Sequence, residues 1–293
     1  MKLPIEAHGV VQQDENGLLS VRYTKFQTST ADANKFSLDD KGTKSTKIIT
    51  HLVEDKPIED IPAAWLKLYL LSLRFFKPNE LNFENIFSVL PNIAWTNKGP
   101  LRAEALESII ADEDFKLCAI DKFPPMTDYI VPKGVRIADS SRVRLGAYLG
   151  EGTTIMHEGF VNYNAGTEGP NMIEGRISAG VFIGKDSDLG GGSSTMGTLS
   201  GGNKEVIKVG ERCLLGANSG IGISLGNDCI VEAGLYLTAG TKVTVLEDNK
   251  VLKALELSGK NGILYFRDSL SGKVCARPNK GNFKLNEVLH DNN

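Results

Sequence analysis

Four histidines (His8, His51, His157 and His290) and four cysteines (Cys118, Cys213, Cys229 and Cys275) are the obvious metal ligands and nucleophiles of this 293-residue chain. The cysteines lie far apart in sequence with no CxxC pair, which argues against a zinc ribbon and fits a reducing compartment. A three-histidine zinc site on neighbouring repeats fails too, because only His157 lies in the repetitive middle of the chain. Residues 1–60 hold no glycine-rich phosphate loop, so nucleotidyl transfer is not expected. What remains sits in two stretches. The first, MHEGFVNYNAGTEGPNMIEGRISAG from Met156 to Gly180, carries His157, Glu158, Glu174 and Arg176. The second, SDLGGGSSTMGTLSGGNKEVIKVG from Ser187 to Gly210, is rich in glycine and hydroxyl groups. Histidine is a general base near neutral pH, and a guanidinium offers a carboxylate a bidentate fork. The plain alternative is a surface ion pair between Glu174 and Arg176, with His157 as a hydrogen-bonded structural residue.

The element that must position these side chains is a repeat. Of 31 glycines, 23 fall between Val131 and Val243, while only two prolines and neither tryptophan lie there. A flexible linker would lack regularly spaced aliphatics. Here Val131, Ile137, Val143, Leu149, Ile155 and Val161 recur every six residues. At the 41% apolar background, six successive hits have a chance of about 0.005. The stride resumes at Ile177, Ile183 and Leu189, at Val209, Leu215 and Ile221, and at Leu225, Val231, Leu237 and Val243. Neither a helical period nor plain alternation demands six; stacked short strands with turns at fixed intervals do. Each aliphatic should point into the narrow interior of a parallel β-helix, and glycine should let the backbone turn its corners. Breaks between Val161 and Ile177 and between Leu189 and Val209 read as insertions, which repeat proteins often place on the binding face.

The flanks read differently. Pro62, Trp65, Leu66, Tyr69, Leu70, Leu73 and Phe76 predict an apolar helix stopped by Pro78, and a second helix is expected from Arg102 to Ala111. Strand-like pieces at Leu18–Tyr23 and Ser45–Leu52 complete an α/β domain over residues 1–128. The β-helix is expected over 129–246. Gly262–Arg267 and Gly272–Ala276 then form a hairpin within a small C-terminal cap, 247–293, closing the open end of the coil. A net charge of -3 lacks the footprint of a nucleic-acid binder. The most apolar segment, Trp65–Phe76, is broken by Lys67 and Arg74, and MKLPIEAHGV has no apolar run behind its lysine, so neither membrane span nor signal peptide is expected. These features point to a cytoplasmic location.

With RCLLGANSGIGISLGNDCIVEAGLYLTAGT, from Arg212 to Thr241, the two stretches closely resemble the tetrahydrodipicolinate N-succinyltransferases, in their actinobacterial-type branch. The resemblance is dense from Val131 to Ser271 and looser through NIAWTNKGP, Asn92–Pro100. It implies a homotrimer of left-handed β-helices that transfers succinyl from succinyl-CoA to ring-opened tetrahydrodipicolinate, in the diaminopimelate route to lysine. The glutamate of the MxEGR element, the family's catalytic residue, falls on Glu174. That carboxylate would either attack the thioester to give a mixed anhydride or accept the amine proton during direct attack. Arg176 would hold a carboxylate of substrate or acyl group. The family's CoA contacts carry over to Gly191, Ser194, Ala217, Glu232, Ala233, Gly240 and Lys253, and in the tail to Phe266, Arg267, Asp268 and Ser269. A magnesium ion near the trimer axis is implied, bound by Glu158; its second acidic ligand falls on Ser141, with Asp139 nearby. Two other readings stand beside this one: a different CoA-dependent N-acyltransferase with His157 as base, and a non-catalytic scaffold.

Overall fold

The computed structural model describes residues 1–39, 46–108, 114–200 and 204–279. The chain divides into two compact units, one formed by Met1–Pro124 with Asp128–Ile130, the other by Pro125–Thr127 with Val131–Asn293. Among the described residues no helix is long and apolar enough to cross a membrane.

The first unit is built on antiparallel sheets. Strands β1 (Ile5–Asp14), β2 (Gly17–Thr28), β3 (Lys35–Asp39) and β4 (Lys47–Leu52) pair in the order β2-β1-β4-β3. The helix α1 spans Ile61–Ser72. Asp60 caps it by accepting from Ala63 N at 2.7 Å, and Pro62 occupies its first turn. It ends before Arg74, whose φ of 63° leaves the helical region, so the helix stops there rather than at Pro78. Trp65, Leu66, Leu68, Tyr69, Leu70 and Leu71 are all buried, an apolarity all round that marks a core helix. Lys67, which interrupts that run in the sequence, is buried as well. Its ammonium group donates to Asp55 Oδ1 at 2.6 Å and to the carbonyls of Lys56 and Asn82 at 2.6 and 2.7 Å, satisfying all three protons. The expected helix from Arg102 is replaced by a strand, Gly99–Arg102, and a 3-10 turn, Ala103–Ser108; the remainder of that expectation lies outside the described residues. Sequence periodicity over so short a piece does not separate the two helix types.

In the second unit, short strands run in parallel and the chain visits three faces in rotation. The first face stacks Arg136–Ile137, Thr153–Ile155, Asn171–Ile173, Asp188–Leu189, Leu214–Leu215 and Ile230–Val231. On the second lie Phe160–Val161, Arg176–Ile177, Ser194–Thr195, Gly220–Ile221 and Tyr236–Leu237. The third holds Tyr148–Leu149, Gly166–Thr167, Phe182–Ile183 and Lys208–Val209. Inward positions recur through Val143, Leu149, Ile155, Val161, Ile173, Ile177, Ile183 and Leu189, every one essentially without solvent exposure. A wall of strands that buries one aliphatic per face per turn is what a six-residue stride encodes.

Three features of this coil depart from the sequence reading. Val131 is 86% exposed, so the register begins only at Ile137. The break from Val161 to Ile177 is not an inserted loop. Its interior positions are Thr167 and Ile173, and the polar Thr167 is tolerated because its hydroxyl meets that of Thr153 at 2.8 Å. From Ile173 the next interior position comes after four residues instead of six, a shortened corner made of Glu174, Gly175 and Arg176. Only the second break is an insertion: Thr195 keeps the stride, and the chain then leaves the coil until Val209. Finally, Cys213 and Cys229, remote in sequence, stack on adjacent coils, where the Cys229 amide donates to Cys213 Sγ at 3.4 Å.

At the far end Ile263–Arg267 and Val274–Pro278 form an antiparallel hairpin, and its first strand pairs in parallel with Ile230–Val231. The hairpin therefore extends the first face and covers its last strand edge, the exposed edge that a solenoid must protect. A cavity of about 390 Å³ opens beside it, lined by Val245, Leu252, Leu257, Ile263, Ala276 and Arg277.

Candidate active site on one edge of the coil

Where the first face turns into the second, every coil places a corner, and the corners stack. In chain order they hold Asp139–Arg142, Met156–Gly159, Glu174–Gly175, Gly190–Ser193, Gly216–Ser219 and Glu232–Leu235. Their backbones form a ladder: Met156 N donates to Ile173 O at 2.9 Å, Glu174 N to Leu189 O at 2.8 Å, Gly190 N to Leu215 O at 2.8 Å, Gly216 N to Val231 O at 2.8 Å, and Glu232 N to Tyr265 O at 3.0 Å. A single edge thus gathers Glu158, Glu174, Gly191, Ala217, Glu232 and Ala233, with Arg176 and Ser194 as the first outward residues of the second face beyond it. Arg176 and Ser194 lie in direct register, and Arg176 N donates to Ser193 O at 2.8 Å.

Glu174 is half-buried and Arg176 exposed. The two do not pair with each other, and among the described residues neither side chain has a hydrogen-bond or ion-pair partner. A half-buried carboxylate and a guanidinium without internal partners can both turn to a ligand. The neighbouring Gly175 is obligatory: a Cβ there would run into the hydroxyl and carbonyl of Ser193 on the next coil. Ser193 itself is fully buried, and among the described residues its hydroxyl has no hydrogen-bond partner. Neither residue was singled out by sequence reasoning; the shortened step from Ile173 to Ile177 was the available signal.

The corner one coil earlier holds His157 and Glu158, both exposed, with His157 Nδ1 3.2 Å from Glu158 Oε1. Arg142 Nη2 lies 3.7 Å from the other oxygen of Glu158. Ser141 donates to Asp139 Oδ1 from its hydroxyl at 2.7 Å and from its amide at 2.9 Å, and these bonds hold the Asp139 carboxyl below the usual carboxylate range. Among the described residues no three His, Cys, Asp or Glu side chains group to hold a metal. A magnesium ion asks for hard oxygen ligands around it, and within one chain this corner offers the exposed Glu158 carboxylate, while one oxygen of Asp139 is engaged by Ser141.

Gly240 and Lys253 lie at the opposite edge of the second face. The turn Thr238–Thr241 is closed by Thr238 N donating to Thr241 Oγ1 at 3.0 Å, and Ala254 N donates to Thr241 O at 2.8 Å, bringing Lys253 beside it. The insertion after Thr195 folds toward this edge: Ser200 Oγ accepts from Ala239 N at 2.6 Å and donates to Gly222 O at 3.3 Å. The second face is therefore a narrow floor between two edges. In the hairpin, Arg267 N donates to Glu232 Oε2 at 2.7 Å, tying the tail to the Glu174 edge, and the Arg267 guanidinium donates to Gly272 O at 2.8 Å. Phe266 flanks Arg267 on the same strand. The Asp268 carboxylate accepts from the Ser271 amide at 2.7 Å and hydroxyl at 2.6 Å, bonds that lower its pKa and commit it to the turn that Ser269 exposes. Of the expected contacts, Glu232, Arg267 and Asp268 each have a side chain already engaged in local structure.

Comparison with known proteins agrees with this arrangement. Residues 206–239 match the family model described as the hexapeptide repeat of succinyl-transferase. The 2,3,4,5-tetrahydropyridine-2,6-dicarboxylate N-succinyltransferase of Pseudomonas putida is 58% identical over 255 residues, covering 84% of this chain and 74% of that protein. Its counterpart from Pseudomonas paraeruginosa is 56% identical over 273 residues, 89% of this chain and 79% of that one. A crystal structure from Campylobacter jejuni, assigned as a 2,3,4,5-tetrahydropyridine-2-carboxylate N-succinyltransferase, superposes with a TM-score of 0.86 at 30% identity, covering 96% of this chain and 93% of that one. Identity of this degree over most of the chain, on a coil whose corners align as described, makes this protein a member of the tetrahydrodipicolinate N-succinyltransferase family of acyltransferase enzymes.

Proposed function

We propose that this chain transfers succinyl from succinyl-CoA to the amino group of ring-opened tetrahydrodipicolinate, with Glu174 as its catalytic carboxylate. The observation that carries the proposal is Glu174, without a side-chain partner among the described residues, on a shortened corner in line with Gly191, Ala217 and Glu232 above it. Small residues along that edge leave flat walls and exposed backbone for a thioester-bearing arm. Lys253 and Arg267 suit the phosphates of CoA, and Arg176 suits a carboxylate of acceptor or acyl group.

Two balanced routes use the same carboxylate. In one, Glu174 attacks the thioester carbonyl, the carbon–sulfur bond breaks, CoA leaves as thiolate and takes up a proton, and the acceptor amine then opens the mixed anhydride to restore the carboxylate. In the other, the amine attacks the thioester directly while Glu174 takes its proton. Both end in an amide and free CoA.

We extend the proposal to a left-handed winding of the coil, a homotrimer in which the Glu174 edge lies at a boundary between chains, and a cytoplasmic location. The domain division 1–128, 129–246 and 247–293 belongs with it. A magnesium ion near the trimer axis, with Glu158 as its ligand, belongs with the same proposal.

The test is CoA release with tetrahydrodipicolinate, offered succinyl-CoA or acetyl-CoA. Release with succinyl-CoA, a loss of about 10²–10⁴-fold in Glu174→Gln, and near-normal turnover in His157→Ala are expected. No release from either donor overturns the proposal, and loss confined to His157→Ala moves the base to that histidine.

A further inference from the structure

We infer that Tyr236 is a positioning residue for the acyl carrier, its ring forming the surface on the second face against which the pantetheine arm of the CoA thioester rests. The inference builds on the succinyl-CoA reading and adds a residue outside the set carried over by resemblance.

Strand register sets the argument. Arg176 pairs with Ser194, Ser194 with Gly220, and Gly220 with Tyr236, one outward column across four successive coils. The next residues, Ile177, Thr195, Ile221 and Leu237, are buried, which confirms that the column faces out. At Gly220 an added Cβ would overlap three ring atoms of Tyr236: Cδ2, Cε2 and Cζ. The ring is therefore folded back flat over the coil before it. One face covers Gly220, and the residue remains 45% exposed.

Position gives that exposed surface a use. Coils stack about 4.8 Å apart, so a ring above Gly220 stands roughly 10 Å from the rung of Arg176, whose corner holds Glu174. An extended arm with its thioester at Glu174 passes over that ring. On one side rises the corner Glu232–Leu235; on the other stand Ser200 and the turn Thr238–Thr241. Pantetheine carries methyl groups and two amides, and a tyrosine offers an apolar face to the first and a hydroxyl to the second. Gly220 permits this placement, since any side chain there would lift the ring from the floor.

Steady-state kinetics and equilibrium CoA binding of Tyr236→Ala, Tyr236→Phe and Gly220→Ala test the inference, with light scattering and thermal melts as controls. Expected for Tyr236→Ala is a KM for succinyl-CoA raised about tenfold, a kcat within about threefold of wild type, and an unchanged KM for the acceptor. Gly220→Ala should shift KM in the same direction although Tyr236 is present, and Tyr236→Phe should fall between. A KM for succinyl-CoA within about twofold in Tyr236→Ala overturns the inference, as does a melting change without a KM change or a KM change that only follows loss of chain association. If wild type releases no CoA, the functional proposal fails instead, and CoA binding to wild type and Tyr236→Ala still decides the role of the ring.

Discussion

The hydroxyl of Ser193 occupies the space into which a side chain on Gly175 would project, so the corner bearing Glu174 is locked against the coil that follows it. A glycine here serves close approach of two backbones, since its φ is not in the left-handed region. Gly175→Ala must push that corner outward. It should cost about 1–3 kcal/mol of stability, as overpacking does. Turnover should fall much further than stability, by tenfold or more, because displacing the adjacent carboxylate by an ångström removes it from line with the thioester. Melting temperature and CoA release measured on the same preparation check this; a fall in stability with turnover intact would show that the corner tolerates movement.

Inside the coil, Thr153 and Thr167 satisfy one another across 2.8 Å with no exposure to water. Thr167→Val leaves the Thr153 hydroxyl short of a partner and should destabilise by about 1–3 kcal/mol, as should Thr153→Val. The double variant should lose clearly less than the sum, since two apolar groups of equal shape ask for no hydrogen bond. Denaturant midpoints for the four members of this cycle measure the coupling. Strict additivity would mean that the hydroxyl pair contributes nothing.

Arg212 clasps Asp228 one coil away, Nε to Oδ1 at 2.7 Å and Nη2 to Oδ2 at 3.0 Å. That guanidinium holds the Asp228 carboxyl below its ordinary value, so the folded state binds its proton less tightly than the unfolded chain does. The resulting stability is present in full above the ordinary carboxylate pKa of about 3.9 and is lost as pH falls through the lower folded value. Asp228→Asn should therefore melt below wild type near about pH 7, with the difference closing as acid is added and vanishing near about pH 2. Both side chains are about half exposed, so the gap should be small and should narrow in salt. A gap that persists unchanged into acid would assign it to packing.

How much of this was legible in the residues varies from element to element. The stride from Ile137 onward was, because an inward side chain every sixth residue is a local pattern. The terminal hairpin at Ile263–Pro278 was legible too, from strand-like runs around a turn. Thr167 hid one rung, since a threonine at an interior position looks like a break until its partner on the previous coil is known. Lys67 read as an interruption of an apolar run, yet it is buried, because Asp55 and two carbonyls supplied from outside the helix meet its charge. Over its described part, the helix expected from Arg102 begins as the last residue of a strand paired with Ile93–Thr96 and continues as a 3-10 turn, and that pairing is not contained in propensity.

For the candidate site, the motif around Glu174 marked the segment, and its shortened corner was present in the spacing of Ile173 and Ile177. Three relationships were not written there: that Glu174 and Arg176 leave each other unpaired, that Asp139 is spent on Ser141, and that Tyr236 lies over Gly220. The linear order of residues determined the repeat, the interior of the coil and the family, since each depends on side-chain type at fixed local intervals. Tertiary structure alone decided which corners form one edge and which side chains cover their neighbours. The reason is geometric: each coil closes only after some 16 to 18 residues, as in the pairing of Arg176 with Ser194, so residues that touch are a full turn apart and no local pattern records how one turn sits on the next.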